Sequence, residues 1–185
     1  MPDRLYFTEN DEANALLAED PVALLIGFVL DQQVSVQKAF SSPLELERRL
    51  GTLDPARIAS TDPAELDRVF REKPALHRFP GAMAERTQAM CAYLAETYDG
   101  DATRIWRDAA DAEDLKRRLL DLPGIGDMKA RSLLAILFKR FDVRLPGWEE
   151  VGPKHPTLGD VDSPESLTRY QDAKRAYKAK LRESQ

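Results

Sequence analysis

Soft metal ligands are almost absent from this 185-residue chain, which has one cysteine, Cys91, and two histidines, His77 and His155. A lone cysteine excludes an internal disulfide, a four-cysteine zinc site and a four-cysteine iron–sulfur cluster. The sequence therefore predicts no bound metal and no cofactor from its own side chains. Long apolar runs are missing too. The longest, Val22–Leu30, falls well short of the ~20 residues that span a bilayer, so no membrane partner is expected. Met1-Pro2-Asp3-Arg4 lacks the basic-then-apolar pattern of a secretory leader, which points to a cytoplasmic protein, nucleoid-associated if bacterial. A basic excess is also missing. Lys and Arg number 27 against 32 Asp and Glu, a net charge of −5. That balance weighs against a phosphate-binding protein, since such affinity rests on Lys and Arg.

The charge is unevenly placed, however. Arg169, Lys174, Arg175, Lys178, Lys180 and Arg182 face a single acid, Asp172, within Arg169–Arg182. A second basic run, Lys129–Arg144, holds Lys129, Arg131, Lys139, Arg140 and Arg144 against Asp142. Either run is read as a solvated helix face or as a surface turned to phosphate.

The patterning is helical throughout, with no strand signal. Asp11–Ala18 and Pro21–Gln32 read as successive helices, the second apolar on most sides and so central. Val36–Phe40 follows, and Ser42-Pro43 is read as the start of a separate helix that ends at Gly51. Asp54-Pro55 and Asp62-Pro63 repeat the pairing of N-cap and proline ahead of Pro55–Ala59 and Pro63–Arg71. Ala82–Thr97, Ala102–Ala109 and Asp111–Leu120 come next. Beyond Phe141 the chain is rich in Pro and Gly, a loop by its breakers. Ser163-Pro164 then opens a last helix with an apolar stripe of Leu167, Tyr170, Tyr177 and Leu181, which is expected to pack back on the body.

Between the helix-like segments Glu113–Leu120 and Met128–Phe138 lies Leu122-Pro123-Gly124-Ile125-Gly126. Two glycines one residue apart permit a tight reversal, because glycine tolerates positive φ. A reversal opening straight into a helix leaves free N–H groups at the positive end of the helix dipole, a place that attracts phosphates. Helix, LPGIG, helix is the pattern of a helix-hairpin-helix motif and points to nucleic acid.

Three segments together resemble the helix-hairpin-helix (HhH-GPD) DNA glycosylases of base excision repair. They are the hairpin LPGIGDMKARSLLAILF, the upstream Leu24–Val36 with its Gln32-Gln33 turn, and Ala84–Met90. Order and spacing agree over Pro21–Pro146. The resemblance implies an all-α fold of two helical lobes with a cleft. It forms one globular unit over 1–185, with lobe A about 1–33 plus 142–185, and lobe B about 34–141 with the hairpin at 113–138. It implies a monomer that kinks duplex DNA, flips a damaged or mispaired nucleotide out of the stack and cleaves its N-glycosidic bond. Gly124, Ile125 and Gly126 would anchor a phosphate, with Lys129 and Arg131 as nearby charge and a cation on the hairpin carbonyls. Gln33, or alternatively Gln32, would enter the duplex as a wedge.

Two groups of that family are not where the resemblance places them. Bifunctional members carry a nucleophilic lysine at the position of Met128, and Lys129 lies about 100° further around the helix. No lyase chemistry is therefore expected, and the activity is read as that of a monofunctional hydrolase. The family's aspartate would fall at Pro146–Trp148, where no carboxylate occurs. Glu149, Glu150 and Asp142 are the replacement candidates. Trp148 and Asp31 are candidates for the base pocket, Trp148 by stacking on the flipped base. The missing groups leave two other readings open. One is a DNA-binding module that has lost its chemistry. The other is a helical protein-interaction domain in which LPGIG is a plain turn.

Overall fold

In the computed structural model, which describes residues 2–183 apart from the side chains of Lys178, Leu181 and Glu183, every regular element is helical. The chain runs α1 (Asp11–Glu19), α2 (Pro21–Leu30), α3 (Val36–Leu50), α4 (Pro55–Ser60), α5 (Pro63–Arg71) and α6 (Pro80–Tyr98). It continues through α7 (Arg104–Arg107), α8 (Ala112–Leu120), α9 (Asp127–Lys139), α10 (Trp148–Val151), a 3-10 turn at Leu158–Asp160 and α11 (Pro164–Glu183).

The starts follow local chemistry. Asn10, Asp20, Ser35, Asp54, Asp62 and Asp111 each accept a backbone N–H from the first turn of the helix that follows. α2 is buried from Val22 to Leu30 and forms the centre of the molecule, packed against α1, α3 and α6. Phe40 of α3 sits edge-on to Phe28 and Phe7, with ring centroids 5.1 and 5.0 Å apart. Cys91 lies in the same core, where burial pushes its thiol up to about 12 and leaves it inert. Among the described residues no single helix is long and apolar enough to cross a membrane.

Three expectations are corrected. Pro43 does not begin a new helix but sits inside the continuous α3. Phe40, Leu44 and Leu46 keep one buried face running past it, and that burial outweighs the roughly 3 kcal/mol an internal proline costs. The expected helix at Ala102–Ala109 shrinks to the single turn α7. The apolar stripe of α11 is covered only at its start. Leu167 is buried and Tyr170 half-buried, but Tyr177 is 65% exposed, and the Leu181 side chain lies outside the described residues.

Candidate nucleic-acid interface

The hairpin is a buried clasp with a bare tip. Leu122 and Ile125 are buried, and the Ile125 N–H donates to the Leu122 carbonyl at 3.1 Å to close the turn. Gly124 adopts φ +85° with its Cα face against Val29 of α2, where a Cβ would meet a valine methyl at 3.5 Å. Only this glycine needs positive φ. Gly126 has φ −92° and ψ −179°, ordinary extended values, so the two-glycine reversal is in fact a one-glycine reversal. Nothing lies within 4 Å of where a Gly126 Cβ would stand, and no side chain caps α9. Gly126, Asp127 and Met128 are exposed, so the uncapped first turn of this 13-residue helix lies at the surface. Asp127 in that first turn is held aside by Arg131 at 2.8 Å. Met128 projects outward, 75% exposed.

The turn after α2 separates the two glutamines. Gln33 is exposed and left-handed at φ +55°, the tip of the turn. Gln32 is tied down: its Nε2 donates to the Val29 carbonyl at 3.0 Å and its Oε1 accepts from Arg86 at 2.7 Å. Its own carbonyl lies 3.0 Å from His77 Nε2. The other nitrogen of that buried ring accepts the Phe79 N–H at 3.0 Å, so Nε2 carries the proton and donates to Gln32. Burial holds His77 below its ordinary pKa, hence neutral. The two glutamines thus have unequal freedom: Gln33 is unencumbered, while Gln32 is a brace for the turn. Beside this turn opens a polar groove of about 470 Å³, lined in part by Ser35, Gln37, Lys38 and Ser41.

Lys129 and Asp31 stand between hairpin and turn. Lys129 is partly buried, its Nζ donating to the carbonyls of Gly124 at 3.3 Å and Val29 at 3.4 Å. The ammonium thus stitches the hairpin to the end of α2. Burial pushes its pKa down, and neighbouring Asp31 works in the opposite direction. Asp31, half-buried at the C-cap of α2, also faces Tyr170 of α11. That phenol is pushed up to about 12, first by burial and then by Asp31 and Asp160.

The loop acids lie elsewhere. The Pro146 carbonyl accepts the Ala112 N–H at 2.8 Å, which pins the loop to the start of α8, the end away from the hairpin. Trp148 stacks on Phe138 with centroids 4.1 Å apart and planes 13° apart. Phe138 is ten residues beyond Met128 on α9, about 15 Å along the axis. One face of the indole is taken by this contact. Glu149 and Glu150 are exposed on the one-turn α10 that follows. Asp142 is exposed at φ +54° and ion-paired with Arg144. The structure therefore does not bring Glu149, Glu150 or Asp142 to the hairpin. Among the acids singled out from sequence, Asp31 is the one placed beside Lys129.

Arg86, His77 and Tyr170 belong to this site and were not legible as site residues. Arg86 reaches Gln32 across 54 positions, and no local motif records such a contact. The family model for HhH-GPD superfamily base excision DNA repair proteins matches residues 26–183, well over half of the chain. No curated protein and no solved structure matches the chain.

Proposed function

Since the chain belongs to the HhH-GPD superfamily of base excision DNA repair proteins, we propose that it is a monofunctional DNA N-glycosylase. The observation that carries this reading is one cluster: the uncapped amides at Gly126, the exposed Gln33 turn and the Asp31 carboxylate beside Lys129. In the proposed reaction the amides take a phosphate of duplex DNA, and Gln33 fills the space left by the extruded nucleotide. The bond between C1′ and the base nitrogen breaks, and its electron pair leaves with the base. Water adds to C1′ and gives up a proton, and Asp31 stabilises the positive charge on the sugar. The departing base regains a proton from solvent. Only water is needed as co-reactant. Met128 offers a thioether where an amine nucleophile would stand, and Lys129 is turned back onto two carbonyls, so no Schiff base forms.

The test is incubation of the purified chain with duplexes carrying uracil, hypoxanthine, alkylated purines or 8-oxoguanine. Abasic sites that become strand breaks only after alkali are the expected product. Absence of excision from every lesion under single-turnover conditions, at enzyme concentrations that saturate the DNA, would falsify the enzymatic reading. The distance between the loop acids and the hairpin favours a second reading, a DNA-binding repair module without chemistry. It predicts the same binding with no abasic product.

A further inference from the structure

We propose that the outer half of α11 is an arm that grips the phosphate backbone of the DNA duplex beside the Gln33 turn. The inference rests on the DNA-binding reading above and adds a contact surface to it.

The arm begins at the site. Ser163 and Ser166 lock the first turn of α11, with the Ser166 N–H donating to Ser163 Oγ at 3.1 Å and Ser166 Oγ accepting the Asp162 and Ser163 N–H groups. Leu167 is buried. Tyr170 is half-buried, and the Gln171 and Gln37 side-chain amides exchange hydrogen bonds of 2.9 and 3.3 Å. Gln37 stands just past the turn that carries Gln33, so the Gln37–Gln171 pair fastens α11 at that shoulder of the turn.

Past this fastening the helix leaves the body. Lys174 lies back over the Tyr170 ring at 5.7 Å, and every described side chain from Arg175 to Arg182 is exposed. Some twelve residues, about 18 Å of helix, therefore run on with most of their described side chains exposed. Among the described side chains from Arg175 to Arg182, burial does not hold this stretch together. Ala173, Ala176 and Ala179 among Lys and Arg supply strong intrinsic helix propensity instead.

Charge identifies the occupant. In a molecule of net −5, the sequence of the projecting half carries Lys174, Arg175, Lys178, Lys180 and Arg182 against Asp172 and Glu183, with Asp172 ion-paired to Arg175 at 2.5 Å. Arg175 and Arg182, seven residues apart, stand within about 20° of each other around the helix, an aligned pair about 10 Å apart. An exposed cationic ridge that starts at a DNA-entering turn and has no core role matches a polyanion running past that turn. Its position also decides between partners. An acidic protein would have no reason to require the arm at the shoulder of the Gln33 turn, whereas a duplex engaged there must continue alongside it.

The test is fluorescence anisotropy of the full chain with a duplex of 20 or more base pairs, measured across a salt series. Glutamine at Arg175, Lys180 and Arg182 keeps helix propensity while removing three charges, and circular dichroism verifies the helix content. Loss of three phosphate contacts should flatten the slope of log K against log salt by about two to three units and weaken binding at low salt about tenfold or more. Wild-type slope and affinity in this variant would overturn the arm and assign the ridge to another partner, such as an acidic protein. The variant Gly126→Leu separates the two levels of inference. If it weakens binding while the triple variant does not, the arm alone fails. If the wild-type chain does not bind DNA at all, both the arm and the reading beneath it fail.

Discussion

The hairpin α8–α9 and the loop from Pro146 to Val151 stand side by side in sequence and have different fates. At the hairpin, two buried aliphatic residues and one left-handed glycine suffice to present bare amides. In the proposed function, phosphate binding there falls to the backbone, so the side chains around it need not take part. Met128 occupies an outward position at no structural cost. The loop has the opposite requirement, because a catalytic carboxylate must arrive at one point in space. A single apolar preference, Trp148 for the face of Phe138, draws the segment to the far end of α9 and takes Glu149 and Glu150 with it.

The largest effect expected is at the acid that remains near the hairpin. Asp31→Asn keeps the shape of the α2 C-cap but removes the negative charge facing Lys129 and Tyr170. Excision rates in single-turnover assays should fall a hundredfold or more, the scale on which positioned carboxylates act. DNA affinity should hold or rise, because one anion fewer faces the phosphates. The double change Glu149→Gln, Glu150→Gln should leave the rate within about twofold. The reverse pattern would return the chemistry to the loop and sink the contrast.

A medium-sized effect separates the two hairpin glycines. Gly124→Ala places a Cβ residue at φ +85°, a strain of about 1–2 kcal/mol, although its methyl would meet Val29 at ordinary contact distance. Thermal melting should drop by several degrees. Gly126→Leu meets open space at φ −92°, so its melting temperature should move little, while the side chain stands where a phosphate must approach. Duplex affinity should fall about tenfold, the worth of a charge-assisted hydrogen bond or so. Equal effects of both changes on stability would mean that Gly126 is structural after all.

These glycines show how far the sequence could be read. LPGIG between two helical patterns was legible because tight turns demand particular residues locally, and the match over residues 26–183 agrees with the family the motif suggested. Asp54-Pro55 and Asp62-Pro63 were legible for the same reason, whereas Pro43 misled. Its local signal was real, but the tertiary burial of Phe40 and Leu46 overrode it. The site was less legible than the fold. Gln32 and Gln33 are chemically identical neighbours, and Arg86 and His77, arriving from α6 and the segment before it, join the local bond to Val29 in making Gln32 a brace. Asp31 was singled out from sequence as a base-pocket candidate, but nothing local recorded that Lys129, far along the chain, would come close to it. The loop acids were close in sequence to the expected position, and sequence distance carries no record of a ring stack.

The smallest expected effect sharpens the contrast from the stability side. Asp114, in the first turn of α8, accepts the Ala110 N–H at 3.1 Å and Arg118 Nε at 2.9 Å and also contacts Arg117. These contacts hold its carboxyl down to about 2, against an ordinary 3.8. A carboxyl lowered on folding stabilises the fold above the unfolded value, and that contribution is lost as pH falls through the folded one. The hairpin should therefore lose stability between about pH 4 and pH 2. Because the group sits at the surface, solvent screening limits the loss to about 1 kcal/mol. Urea unfolding followed by circular dichroism over that range should show the slope in the wild-type chain and a flatter profile in Asp114→Asn. An acid limb that survives the substitution would mean that other carboxyls govern it, and that the grip on α8 comes from the buried clasp of Leu115, Leu119 and Leu122 instead.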